Sequence, residues 1–264
     1  MENKGDWFFI NTGFKTEISA NNYRGVYEYL KPFEKELTAR SDQGKTPYNL
    51  RACDYYEEFE KPKILYIHTA VNPHFYYDSE TYFVNNNAYM IANVDLFLSA
   101  WLNSAVFSFY KKLIFPAFGD AATDGRIRLN ADKMVKVPIP ILTDEQKAPF
   151  IQKAEMMLAM NKALYESSQN FLSVVRTELK VEKVNEKLQN WYKMPYEGFV
   201  LEVKKQKGGF KDLSQRMEWQ GFFKENQAKA VALQEKINTT NNEIDDMVFV
   251  LYDLTAEEIG IVRG

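Results

Sequence analysis

Cysteine and histidine are nearly absent. Cys53 is the single cysteine, and His68 and His74 are the two histidines among 264 residues. A disulfide within the chain is impossible, and a four-ligand Cys/His zinc site lacks donors. One cysteine fits a reducing compartment, so a cytoplasmic location is expected. Long apolar runs are also missing: none approaches the roughly 20 residues that cross a bilayer. The residues after Met1, Glu-Asn-Lys-Gly-Asp, lack signal-peptide character. Glycines never fall in the phosphate-loop or dinucleotide spacings, GxxxxGK[ST] or GxGxxG. No serine elbow or catalytic cysteine signature accompanies His68 and His74, and the acidic run DYYEEFE at 54–60 reads as a solvated face. Charge of one sign is missing too. The net charge is −3, and acids and bases balance on both sides of Pro140. A nucleic-acid partner would therefore require positive charge sorted onto one face.

Aromatic residues are plentiful, with 16 Tyr and 19 Phe. That excess serves a core, and Tyr also serves wet binding surfaces. The chain begins abruptly, as a piece of a longer protein would, and WFFI at 7–10 reads as a short strand. Residues 26–40 show helical spacing at Tyr29, Leu30, Phe33 and Leu37. Ser41–Lys45 is a turn by composition. KILYIHT at 63–69 predicts a buried strand. Residues 75–78 and 81–84 predict a hairpin, Asn85–Asn87 a loop tip, and 89–92 a further strand. Residues 95–110 predict one helix, apolar nearly all round and capped by Asp95. A polar loop at 119–130 follows, then an edge strand at 135–142 interrupted by two prolines.

From Thr143 the pattern changes. Thr143 and Gln146 form a capping box. Phe150, Ala154, Met157, Asn161, Leu164, Ser168, Phe171 and Val175 then alternate spacings of three and four. A second series runs from Phe223 through Ala230, Ile237 and Ile244 to Leu251. Two such seams predict an antiparallel, coiled-coil-like pair about 50 Å long. Residues 181–212 read as a small inserted, linker-like subdomain, with Gly208-Gly209 a flexible turn. Thr255–Glu258 resembles another capping box. The expected fold class is α+β: a lead-in at 1–28, a mixed α/β globule at 29–142, and a helical arm at 143–264.

Several segments in this order resemble one family. They are LKPFEKELTARSDQGKTPYNLR at 30–51, FEKPKILYIHTAVNPHFYYDSETYFVNNNAYMI at 59–91, LFLSAWLNSAVFSFYKK at 96–112 and VKVPIPILTDEQKAPF at 135–150. The succession resembles the TaqI-type specificity domain of adenine-specific DNA methyltransferases and of combined type IIG or IIS restriction–modification enzymes. The passage from PIP into a long helix resembles the helical spacer of type I specificity subunits. The resemblance implies a target recognition domain for double-stranded DNA. It also implies that catalysis belongs to methyltransferase and nuclease domains. Their S-adenosylmethionine and Mg would be bound there, with no cofactor in these residues. The methyltransferase motif Asn-Pro-Pro-Tyr is indeed absent; Val71-Asn72-Pro73-His74 is a partial echo.

Recognition of duplex DNA needs phosphate contacts for register and base-edge contacts for sequence. By residue type, Arg40, Lys45, Arg51, Lys61 and Lys63 are candidate cations around the Gly44 turn. Asn49 and Arg51 are candidate base readers, and Tyr48 a sugar or phosphate contact. His74, the loop tip Asn85, Asn86 and Asn87, and the alternating Arg126 and Arg128 complete the set. Each has an ordinary structural reading, as surface charge, turn chemistry or core. An alternative reading of the chain is a structural or protein-interaction module with a coiled-coil arm and no nucleic-acid partner. An enzyme hidden in the Tyr-rich globule lacks any nucleophile–base or metal set.

Overall fold

The structure, a computed structural model, describes residues 12–13, 16–51, 53–85, 87–115, 117 and 125–264. The strand expected at 7–10, Asn86 and residues 119–124 of the loop expected at 119–130 lie outside the described residues.

The first helical stretch forms as α1 (Arg24–Leu30), a 3-10 turn around Pro32, and α2 (Glu34–Ala39), and none of its residues is buried. The apolar run after Pro62 becomes β1 (Lys63–Ile67), the centre of a three-stranded antiparallel sheet. Its neighbours are β3 (Phe75–Asp78) and β4 (Ala88–Ala92), in register through Leu65↔Tyr76 and Leu65↔Met90. Ile64, Tyr66 and Phe75 face the main core.

The expected hairpin between 75–78 and 81–84 does not form. Asp78 instead accepts hydrogen bonds from the Glu80 and Tyr82 amides, both at 2.8 Å. Thr81 takes a positive φ of 66°. A side-chain-held turn thus replaces the ladder, and β3 pairs with β1. Immediately after β1, β2 (Thr69–Ala70) pairs with β5 (Ile127–Arg128), so the end of the polar loop is a strand rather than a loop.

The helix expected over 95–110 is two helices, α3 (Leu96–Leu102) and α4 (Ala105–Ile114). Asp95 caps α3 through the Leu98 amide, as expected. The break lies at Asn103-Ser104. Asn103 exchanges two hydrogen bonds with the backbone of Phe75, and Ser104 caps α4. Residues 135–142 form no strand. Pro138 and Pro140 remove the donors a ladder requires, and after α5 (Ala131–Met134) the chain turns at Val135–Lys136 and has no regular structure over 137–142.

The arm consists of α6 (Asp144–Leu179) and α9 (Leu213–Leu251), about 54 and 58 Å long at 1.5 Å per residue. The capping boxes at Thr143 and Thr255 form, the second opening α10 (Ala256–Arg263). Phe171, Val175, Phe223, Ala230 and Ile237 occupy the seam between α6 and α9. Asn161 is exposed and donates to its own helix at the Met157 carbonyl. Residues 181–212 are a packed cap rather than a linker. They include α7 (Glu186–Gln189) and α8 (Tyr196–Lys205), and Trp191 stacks on Phe171 at 3.7 Å. Gly208 is no flexible turn. Its amide bonds to the Val203 carbonyl, and a Cβ there would meet Val181 at 2.7 Å and the Leu179 carbonyl at 2.8 Å.

The base of the arm is part of the globule's core. Phe150, Ala154, Ile244 and Val248 pack with Phe97, Trp101 and Phe107. Packing thus runs across residue 143. Asp245 of α9 accepts from the Ala105 amide at 2.7 Å, so the arm caps α4. Lys147 pairs with Asp95 at 2.8 Å.

Candidate nucleic-acid interface

The sequence candidates separate into three places. The first is the loop after α2. Arg40 is half-buried, and its guanidinium donates to the Pro47 and Asn49 carbonyls at 2.9 and 2.7 Å. It therefore closes the loop that displays its neighbours. Asn49 is a correction. Only 1% exposed, it donates to the carbonyls of Thr12, Gly13 and Thr16 and accepts from the Thr46 hydroxyl. All its edge atoms are committed to the fold, so it cannot read a base. Tyr48 is also buried, with its ring edge-on to Tyr27 at 5.2 Å. Burial, reinforced by Glu34, pushes its phenol up to about 12. Lys45 and Arg51 alone in this group stand exposed.

The second place is the entry to β1. Lys61 is exposed and paired with Glu58 at 2.7 Å. Lys63 is the second correction. Its ammonium is fully buried, 2.6 Å from the Asp78 carboxylate and 2.6 Å from the Phe59 carbonyl. Strand alternation turns Lys63 beneath the 3-10 turn at Tyr56–Glu60. It ties that turn to β1 and β3 and is unavailable to a ligand.

The third place is the far end of β1, where the rest converge. The His68 amide donates to the Asn87 carbonyl at 3.4 Å, and the His68 carbonyl accepts from the Leu129 amide at 2.7 Å. One residue thereby joins the turn at Asn87 to the segment carrying Arg126 and, on β5, Arg128. Asn85 holds that turn by accepting from the Asn87 amide. His74, Asn85, Asn87, Arg126 and Arg128 are all exposed. Thr69 lies directly opposite Arg128, while Ile127 and Leu129 are buried. Burial of these two alternate residues forces both arginines outward. Sequence reasoning missed the apolar neighbours Ile67 and Val71, both more than half exposed. They flank β2 at an even spacing of four residues, Ile67 at the end of β1 and Val71 just past Ala70, and that even spacing was the signal for a shared outer face.

The two ends of β1 are about 13 Å apart at 3.3 Å per residue, so Lys61 does not join the arginine group. Among the described residues no group of three or more His, Cys, Asp and Glu is placed to hold a metal ion. No described helix is long and apolar enough to cross a membrane. What the far end of β1 offers is hydrogen-bond donors, two cations and a small apolar surface on a rigid ladder. That set suits the recognition of an anionic polymer with polar edges.

Residues 15–139 match the TaqI-like C-terminal specificity domain. The match ends four residues before the Thr143 cap of α6, and all three candidate places fall inside it. The arm matches a second family, a domain of unknown function (DUF8810), over residues 143–248. No curated protein matches the chain.

Proposed function

We propose that this chain is a sequence-specific recognition module for double-stranded DNA, belonging to a type IIG or IIS restriction–modification enzyme and acting in the cytoplasm. On this reading the TaqI-like specificity domain finds the site. The arm, as a helical spacer, sets its distance from the methyltransferase and nuclease domains of the parent protein. S-adenosylmethionine and Mg are the business of those domains. The observation that carries the reading is the position of Arg126, Arg128, His74, Asn85 and Asn87. All lie within the matched segment, around the far end of β1, and all are exposed.

Lys45 and Arg51 suit phosphate contacts, because they project from a loop that Arg40 holds closed. The test is duplex binding measured across a series of salt concentrations. Affinity is expected to fall steeply with salt. Lys45→Ala and Arg51→Ala should each weaken all sequences alike and lower the salt slope by about 1. Binding indifferent to salt and to both substitutions would remove the reading.

One observation favours the protein-interaction alternative. Tyr23, Tyr29 and Phe33 are each at least half exposed along a helical stretch with no buried residue. On that alternative a protein partner would be retained by Arg40→Ala, Arg51→Ala and Arg126→Ala, and DNA would not bind.

A further inference from the structure

The outer face of the β2–β5 pair has a definite composition. Thr69 and Arg128 are partners across the ladder. Continuing that register by one residue sets Val71 opposite Arg126. Consistent with this, the Cβ position of Gly125 lies 4.0 Å from Val71 Cγ1. Ile127 and Leu129 are buried, at 9% and 0% exposure, so the strand cannot rotate without exposing both. Arg126 and Arg128 are therefore held on one side of a fixed strand.

We propose that this face is the base-reading surface, with Arg126 and Arg128 each donating to a guanine edge in the major groove. The inference rests on the DNA-recognition reading above and specifies which side chains discriminate. A guanidinium fork matches the O6 and N7 acceptors of guanine, the commonest specific contact in that groove. Side chains two residues apart in an antiparallel strand are about 6.8 Å apart. B-DNA advances about 3.4 Å per base step. The two arginines are thus spaced for base pairs two steps apart, with one base pair between them.

Val71 distinguishes base edges from phosphates. It is 54% exposed beside two cations. A face that only gripped phosphates gains nothing from a branched hydrocarbon there. In the major groove the same group can cover a thymine methyl. The backbone under the face is fixed by the His68–Leu129 bond and the Thr69–Arg128 pairing.

The experiment is selection from a randomised duplex library with the full chain, comparing wild type, Arg126→Ala and Arg128→Ala. Arg126→Lys and Arg128→Lys serve as variants that keep the charge and lose the fork. The wild type should select a site with two G·C pairs separated by one base pair. Each variant, Lys included, should lose discrimination at one of those positions by about 5- to 150-fold and keep it at the other. Affinity for random duplex should change little by comparison. The inference is overturned if the Ala variants weaken every sequence alike and lower the salt slope by about 1, which marks phosphate contacts. It is overturned equally if the selected positions are unchanged. A wild type that selects nothing overturns the DNA-recognition reading itself, and the inference with it.

Discussion

Replacing Lys63 with methionine leaves the Asp78 carboxylate buried without its counter-ion. Both side chains are 0% exposed, and the pair is 2.6 Å apart. Removing one partner of a buried pair costs about 3–5 kcal/mol, which urea unfolding would read as a lower midpoint. Lys63→Met should also leave the DNA affinity of the folded fraction unchanged; an unaltered midpoint with lost binding would reverse the assignment. Residue type alone marks Lys63 as a cation next to a basic, aromatic stretch, and it marks Asn49 as an adenine reader. Neither assignment survives, because side-chain direction depends on what covers the strand or loop. The turn at Tyr56–Glu60 covers Lys63, and the carbonyls of Thr12, Gly13 and Thr16 surround Asn49. Those contacts join segments far apart in sequence. Arg126 and Arg128 were legible as a pair because alternation with Ile127 is a local pattern, although Thr69, the strand partner of Arg128, was not.

At the scale of elements, the joint between arm and globule carries its own titration. Asp245 on α9 accepts from the Ala105 amide at the start of α4. Burial holds its carboxyl above the ordinary value, while the Ala105 hydrogen bond and Arg263 oppose this and Asp246 adds to it. A pKa raised by folding means that the folded chain retains the proton. The contribution of this group to stability is therefore largest in acid. It falls as pH rises from about 3.9, the unfolded value, through the folded value. Asp245→Asn keeps an acceptor for Ala105 and removes the titration. The variant should gain stability relative to wild type as pH rises over that interval, followed by thermal melting. A relative loss would contradict the account. The caps at Asp95, Thr143 and Thr255, and both seams of the arm, were readable because their signals lie within one or two helical turns. The break at Asn103-Ser104 was not, since the Phe75 backbone fixes it. The expected strands at 81–84 and 135–142 failed for a related reason. Apolar content was read as pairing, whereas Asp78 supplies a turn in the first and prolines withhold donors in the second.

For the whole molecule, two cores share the long helices. One holds the sheet, α3, α4 and the root of the arm; the other holds the distal arm and the cap built from residues 181–212. The sequence pattern predicted the α+β class and the helical pair. It placed the change of character at Thr143, where the two family matches also part. It did not reveal that the root of the arm completes the globule's core, because Ile244 and Val248 meet Phe97 and Trp101 only after the chain reverses. This shared core fixes the root of the arm against the segment that matches the TaqI-like specificity domain, and on the proposed reading that is what positioning a catalytic partner requires. The most direct test is competition for the full chain between the duplex it selects and random-sequence duplex of equal length, at about 150 mM salt. The account predicts preference for the selected duplex by at least about 1,000-fold. Equal competition by the random duplex would contradict it.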